Sequence, residues 1–358
     1  RILGLLLASI GLPYFVLSTT GPLVQAWFAR ERSGQVPYRL FALSNFGSML
    51  ALIAYPLAIE PVLSTRLQSW AWSGLFATFV VACGLLAWRG RNSQPLEIRH
   101  HDEAQPITAR QLMLWAALAA CPSILMVANT SFLTQNIAPI PLLWVAPLGL
   151  YLLSFILAFE GRGWYRRGLY LPLLVVSLAA LAWLPTLGLS ALPIQWSMGI
   201  NLAAFFVACM ACHGELARHQ PHPAQLTTYF LMLAVGGALG GFFVGVVAPY
   251  FFNSHYELSI AIVLSGLVVA IAVIPTLPAA RPRWRIAAGA GCALVLVALS
   301  GVRVADHLAE NSGADALLRN FYGALTVHSN PETGVRTMLH GQIIHGKQFI
   351  AADKSLSP

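Results

Sequence analysis

Apolar runs of about 20 residues, long enough to cross a bilayer, alternate with short polar segments from Ile2 to Val302. A helix rises about 1.5 Å per residue, so each run matches a hydrocarbon core of about 30 Å. The pattern predicts ten spans: Ile2–Phe28, Leu40–Ile59, Trp70–Trp88, Leu112–Asn129, Leu142–Phe159, Leu169–Leu187, Ile194–Cys212, Thr227–Val247, Leu258–Ile274 and Ile286–Val302. Span ten is the weakest of them. Helices are expected because lipid cannot satisfy open backbone groups. The short strands of alternating polarity that a transmembrane barrel needs are absent.

From Arg303 to Pro358 the pattern becomes mixed and polar, and both lysines, Lys347 and Lys354, lie there. Tyr322–His328 alternates partly, and Ser329-Asn-Pro-Glu-Thr-Gly334 is rich in turn residues. Val335–Leu339 and a short apolar pair after His340-Gly341 follow. This predicts a hairpin plus a third short strand. Two or three strands have no adequate core of their own, so the tail is expected to open a larger domain.

Composition agrees with the membrane class. The chain has 358 residues, 57% hydrophobic and 9% charged, against roughly 25% charged in soluble domains. The net charge of +8 is no nucleic-acid signature, because the arginines lie between hydrophobic spans. The five cysteines fall in or beside apolar runs and read as small core residues.

Topology follows from the arginines. Odd-numbered loops hold fourteen of them, from Arg30 to Arg285, and even-numbered loops hold Arg66 alone. The positive-inside rule makes the odd loops cytoplasmic and delivers the tail to the outside. A re-entrant span ten would instead leave the tail in the cytoplasm. The polar stretch 89–111 reads as a cytoplasmic linker after a first group of helices (1–88). Residues 112–278 follow as a six-helix bundle, 286–302 as a further helix and 303–358 as the β part. A transporter of two six-helix halves has six spans before such a linker. Three precede it here and no Met opens the chain, so three N-terminal helices are expected to be missing.

Several motifs carry candidate chemistry. Gly11-Leu-Pro13 and Ser18-Thr-Thr-Gly-Pro22 interrupt the first span. They predict either a broken helix lining a cavity or a kinked, packed one. Gly236/Gly240, Gly237/Gly241 and Gly241/Gly245 repeat at four residues, which favours close helix packing. Cys209-Met-Ala-Cys212-His213 has the form of a c-type haem attachment motif but lies in an apolar span, where helix packing is the better reading. His213, Glu215 and Arg218, with His219 and His222, form a polar knot in which Arg218 could pair with Glu215. Glu60 ends span two as a candidate cation or proton site against plain solvation. Asn129, Gln135 and Asn136 cluster where an entrance could lie. His340 and His345 read as turn-flanking residues rather than metal ligands, and no metal site is predicted.

Several segments together resemble a known family. They are Arg319-Asn-Phe-Tyr-Gly323, Arg336 to Gly346 with Gln348, Gly11–Thr20, Gln25–Arg30, Tyr38–Asn45, Pro141–Val145 and His213–Arg218. The set resembles bacterial membrane proteins described as fused transporter/spermidine synthases. The resemblance implies a major-facilitator-like bundle in a bacterial inner membrane, then a spermidine-synthase-like domain. Its enzyme would move an aminopropyl group from decarboxylated S-adenosylmethionine to putrescine, so a polyamine-like ligand is implied. The glycine-rich cofactor loop and catalytic aspartate of that family lie beyond the strands matched here, so no catalytic residue and no cofactor is assigned to this chain. Gly323 departs from the family, whose soluble members usually carry Gln after the strand tyrosine. The alternative function is a transporter of polyamines or related metabolites with a non-catalytic appended domain.

Overall fold

A computed structural model describes residues 2–31, 38–91, 106–136, 143–161, 163–187, 192–222, 225–277, 282–320, 323–341 and 343–351. Among them, each predicted span is a helix. Helix α1 joins Ile2–Leu6, a π turn at Leu7–Gly11 and Leu12–Glu31. Helix α2 is Tyr38–Ala54 with a π turn at Tyr55–Ile59. Then come α3 (Thr65–Gly90), α4 (Ala109–Asn136) and α5 (Val145–Glu160). Helix α6 is Arg167–Trp183 with a 3-10 turn at Leu184–Leu187, and α7 is Ile194–Arg218. Helix α8 joins Leu226–Phe242, a π turn at Phe243–Val247 and Ala248–Phe251. Helix α9 is Glu257–Val273 with a 3-10 turn at Ile274–Thr276, and α10 is Pro282–Asn311. Nine are long and apolar enough to cross a membrane, and α5 is a shorter apolar helix. The chain is a multi-pass membrane protein.

The helix ends depart from the apolar runs for local reasons. Helix α4 starts before Leu112 because Thr108 and Gln111 form a capping box: the Thr108 amide donates to Gln111 Oε1 at 2.9 Å, and the Gln111 amide to Thr108 Oγ1 at 3.3 Å. Span ten is not weak: α10 has 30 residues and continues past Val302 to Asn311. Arg303, Asp306 and His307 share a helix face there, with Arg303 donating to Asp306 at 2.5 Å. The change from membrane to polar composition therefore falls inside a helix. Linker residues 92–105, the motif positions Phe321, Tyr322 and Gln342, and Lys354 lie outside the described residues.

Each π turn adjoins a proline: Pro13 after Leu7–Gly11, Pro56 within Tyr55–Ile59, and Pro249 after Phe243–Val247. Proline supplies no N–H, and the wider turn absorbs the interrupted ladder without breaking the helix. Helix α1 is thus continuous, and Ser18 and Thr19 donate back to Phe15 O and Val16 O at 2.9 and 2.7 Å. None of its apolar window is buried. Among its described side chains, the Gly4–Gly21 stretch is not buried in the core.

The core lies among α4 to α9. Helix α7 is central, with 67% of its apolar window buried. Helix α2 joins the bundle through α5, and α10 docks on α9 and α6. The α4–α8 contact is the most extensive. A Cβ on Gly236 would lie 2.2 Å from Ala116 O, and one on Gly240 would lie 2.7 Å from Ala120 O. The two backbones meet where only glycine fits, and Ser123 Oγ donates to Gly237 O at 2.8 Å across the contact. Of the expected glycine pairs, Gly236/Gly240 makes this approach, while Gly237 and Gly245 meet nothing.

The tail forms four strands, not three: β1 (Ala314–Asn320), β2 (Gly323–Asn330), β3 (Val335–His340) and β4 (Ile343–Phe349), an antiparallel meander in chain order. The unpredicted strand, β1, follows α10 directly through Gly313 at φ 72°. The expected turn is present: Asn330 Oδ1 accepts from the amides of Glu332 and Thr333, and Gly334 has φ 64°. Gly323 also has a structural reason: at φ 152°, a Cβ there would lie 2.1 Å from His340 Nε2. A side chain larger than glycine's would not fit there. The described strand positions are half-buried or exposed even beside the bundle.

Gly236→Leu should lower stability by about 1–3 kcal/mol, the usual range for overpacking. Gly237→Leu, pointing into open space, should change little. Thermal unfolding of both variants in detergent checks this, and equal effects would contradict the α4–α8 contact.

Candidate functional site

Two polar clusters occupy opposite ends of the bundle. The first is the knot at the end of α7. Glu215 is fully buried and accepts from Arg167 through both oxygens, Nε at 2.7 Å and Nη2 at 2.6 Å. Tyr165 Oη donates to the same carboxylate at 2.7 Å. Burial, with the Glu215 charge next, pushes the Tyr165 phenol well above its usual range, so it remains a donor. Arg167 also donates to Thr276 Oγ1 at 2.7 Å and so reaches the end of α9. Gly214 is required because the Tyr165 ring lies 2.2 Å from where its Cβ would be.

This corrects the expected pairing. Arg218 follows Glu215 by three residues but is exposed, and the partner is Arg167, 48 residues away. His213 is buried beside Phe155, with ring centroids 3.8 Å apart, and its Nδ1 lies 2.9 Å from Ser154 Oγ. Ser154 spends its proton on Tyr151 O, so His213 Nδ1 is the donor. Cys209 and Cys212 are buried in the same core. The knot clamps the helices together around Glu215, and beside it the buried His213 Nε2 has no partner among the described residues.

The second cluster lies where the sheet meets the bundle and surrounds a cavity of about 540 Å³. Gln135 of α4, Pro249 of α8, Glu257 of α9, Arg303 and His307 of α10, and Arg319, Thr326 and His328 of the sheet all line it. Glu257 is buried at the first turn of α9, where the helix dipole favours a carboxylate. Arg319 of β1 donates to Glu257 and to Ser254 O. Arg303 Nε donates to Ser259 Oγ at 3.0 Å, and Ser259 Oγ lies 3.1 Å from His307 Nε2. The lining carries Arg303, Arg319, His255, His307 and His328 against the single carboxylate of Glu257.

The sequence candidates separate accordingly. Gln135 lines the cavity. Asn129 is fully buried elsewhere on α4, and neither of its amide atoms has a partner among the described residues. Asn201 of α7 is in the same state. Asn136 closes α4, and its side chain lies outside the described residues. Glu60 is exposed at the end of α2 and lines neither cluster. Glu257, Arg303, His307 and Arg319 were missed. A signal was present: Arg303 and Arg319 stand on the arginine-poor side of the expected topology, where a cation implies a partner.

No family model matches the chain, and no curated protein or solved structure matches it either.

Arg167→Ala should cost about 3–5 kcal/mol, because it leaves a buried carboxylate unpaired. Arg218→Ala should be close to neutral. Unfolding midpoints of the two variants distinguish the pairs, and a larger loss at Arg218 would restore the original pairing.

Proposed function

We propose that the chain is the membrane part and adjoining sheet of a bacterial inner-membrane protein of the fused transporter/spermidine synthase type. Its sheet lies on the extracytoplasmic side, and its junction cavity takes a small anionic or zwitterionic solute. The observation that carries this reading is the junction cavity itself, with buried charged side chains from both parts. Its volume falls within the range of about 300–1,000 Å³ usual for small-molecule sites. The guanidinium N–H groups of Arg303 and Arg319, which Asp306 and Glu257 hold in place, can donate to a carboxylate or phosphate. A polyamine would compete with Arg319 for Glu257, the one carboxylate on the wall.

Transport of that solute is the function this reading favours. The unpartnered amides of Asn129 and Asn201 support it, since buried polar groups normally find a partner. They offer unsatisfied hydrogen-bonding points inside the core. The aminopropyltransferase reading, with decarboxylated S-adenosylmethionine as donor, rests on the motif resemblance alone. An extracytoplasmic sheet counts against it, because that donor is a cytosolic metabolite.

In nanodiscs, a dicarboxylate such as glutarate should raise the unfolding midpoint, while spermidine and putrescine should not. Thr326→Trp, which fills the cavity from β2, should weaken glutarate binding at least tenfold. Stabilisation by spermidine with none by glutarate would reverse the assignment. A reporter fused after Pro358 should be active only outside the cytoplasm.

A further inference from the structure

A second cavity, a groove of about 410 Å³, runs between α9 and α10. Ile260, Val263 and Leu264 of α9 and Val304 and Leu308 of α10 form its apolar wall. It faces away from the core: Val304 and Leu308 are exposed, whereas Ala261, Ile262 and Ser265 point inward and are buried. Arg303 and His307 line both this groove and the junction cavity, so they stand between an apolar slot and a polar chamber.

The depth is that of a lipid headgroup. From Pro282 to Arg303 the helix rises about 32 Å at about 1.5 Å per residue, which brings Arg303 to the far edge of a hydrocarbon core of about 30 Å. Leu264 and Ser300, the deeper lining residues, fall within that core. Arg303 is only 5% exposed. Each guanidinium nitrogen has one partner: Nε donates to Ser259 Oγ at 3.0 Å, Nη1 is ion-paired with Asp306 at 2.5 Å, and Nη2 lies 3.5 Å from His307 Nε2. The fork has more donors than those partners use.

We propose that the α9–α10 groove binds one acyl chain of an anionic phospholipid, with the phosphate received by Arg303 beside His307. The chain replaces water and loose lipid along the apolar wall. The phosphate meets the remaining N–H groups of a guanidinium that Ser259 positions and Asp306 already pairs. Arginine donates to phosphate in a bidentate geometry, and a zwitterionic headgroup's ammonium partly offsets the phosphate charge it would meet. A lipid bound there would lie beside the junction cavity and hold Arg303 in position.

The test uses the full chain in mild detergent, with unfolding midpoints measured against added lipid. Phosphatidylglycerol should raise the midpoint by several degrees, and phosphatidylcholine, inorganic phosphate and dodecanol should each fall well short. Val304→Trp, on the outer lip, should block the groove and abolish the shift, as should Arg303→Gln. Native mass spectrometry should find a co-purified anionic lipid on the wild type and none on Val304→Trp. Equal stabilisation by phosphatidylcholine, full reproduction by inorganic phosphate or dodecanol alone, or an unchanged response in Val304→Trp would each overturn the proposal. Glutarate binding at the junction should survive Val304→Trp, so loss of one site leaves the other standing.

Discussion

Glu257 sits at the head of a helix that is otherwise almost wholly apolar, and its carboxylate is buried. A buried charge is tolerable only when paired and hydrogen-bonded. Its partner, Arg319, belongs to β1, and the same guanidinium holds the carbonyl of Ser254 just before α9. Undocking the sheet would strand both charges at the bundle surface. The sheet has no fully buried strand position of its own. One ion pair therefore sets where the sheet sits, and with it the walls of the junction cavity.

The opposite end of the bundle obeys the same constraint with a different result. Glu215 is also buried and also held by an arginine, but Tyr165, Arg167 and Thr276 close around it from three elements. Both carboxylate oxygens of Glu215 are engaged there. At the sheet end the charged groups ring a void instead of filling it. This difference separates a clamp from a site, and burial of titratable groups alone would not reveal it. Between the two ends, α4 and α8 bring their backbones together at Gly236 and Gly240.

The helices were legible because an apolar run of membrane length has few alternatives in lipid. Gly236/Gly240 was legible because a four-residue repeat of small side chains places them on one helix face. What escaped was long-range or marginal. Arg167 lies 48 residues from Glu215, so proximity along the chain pointed wrongly to Arg218. Arg303, Asp306 and His307 read as the end of the membrane, although their three- and four-residue spacing is that of a helix carried onward. Strand β1 has exposed positions at Asp315, Leu318 and Asn320, a pattern interrupted by the bulge between Ala314 and Ala316. The alternation and turn residues of the tail located the sheet but not the junction, because the junction is made of pairings between segments that each look ordinary.

The dependence of the sheet on the bundle has a thermodynamic consequence for any ligand of the cavity. A solute touching both walls binds the docked arrangement better than an undocked one, and it stabilises docking by its differential affinity for the two. The reverse also holds: whatever fixes Arg303 and Arg319 raises affinity for the solute by the same coupling free energy. Arg303 sits on α10, which packs peripherally and connects directly to β1. Small shifts of α10 against α9 would thus be felt at both walls of the cavity together. In such an arrangement, occupancy of the junction and the position of the sheet are one equilibrium observed from two sides.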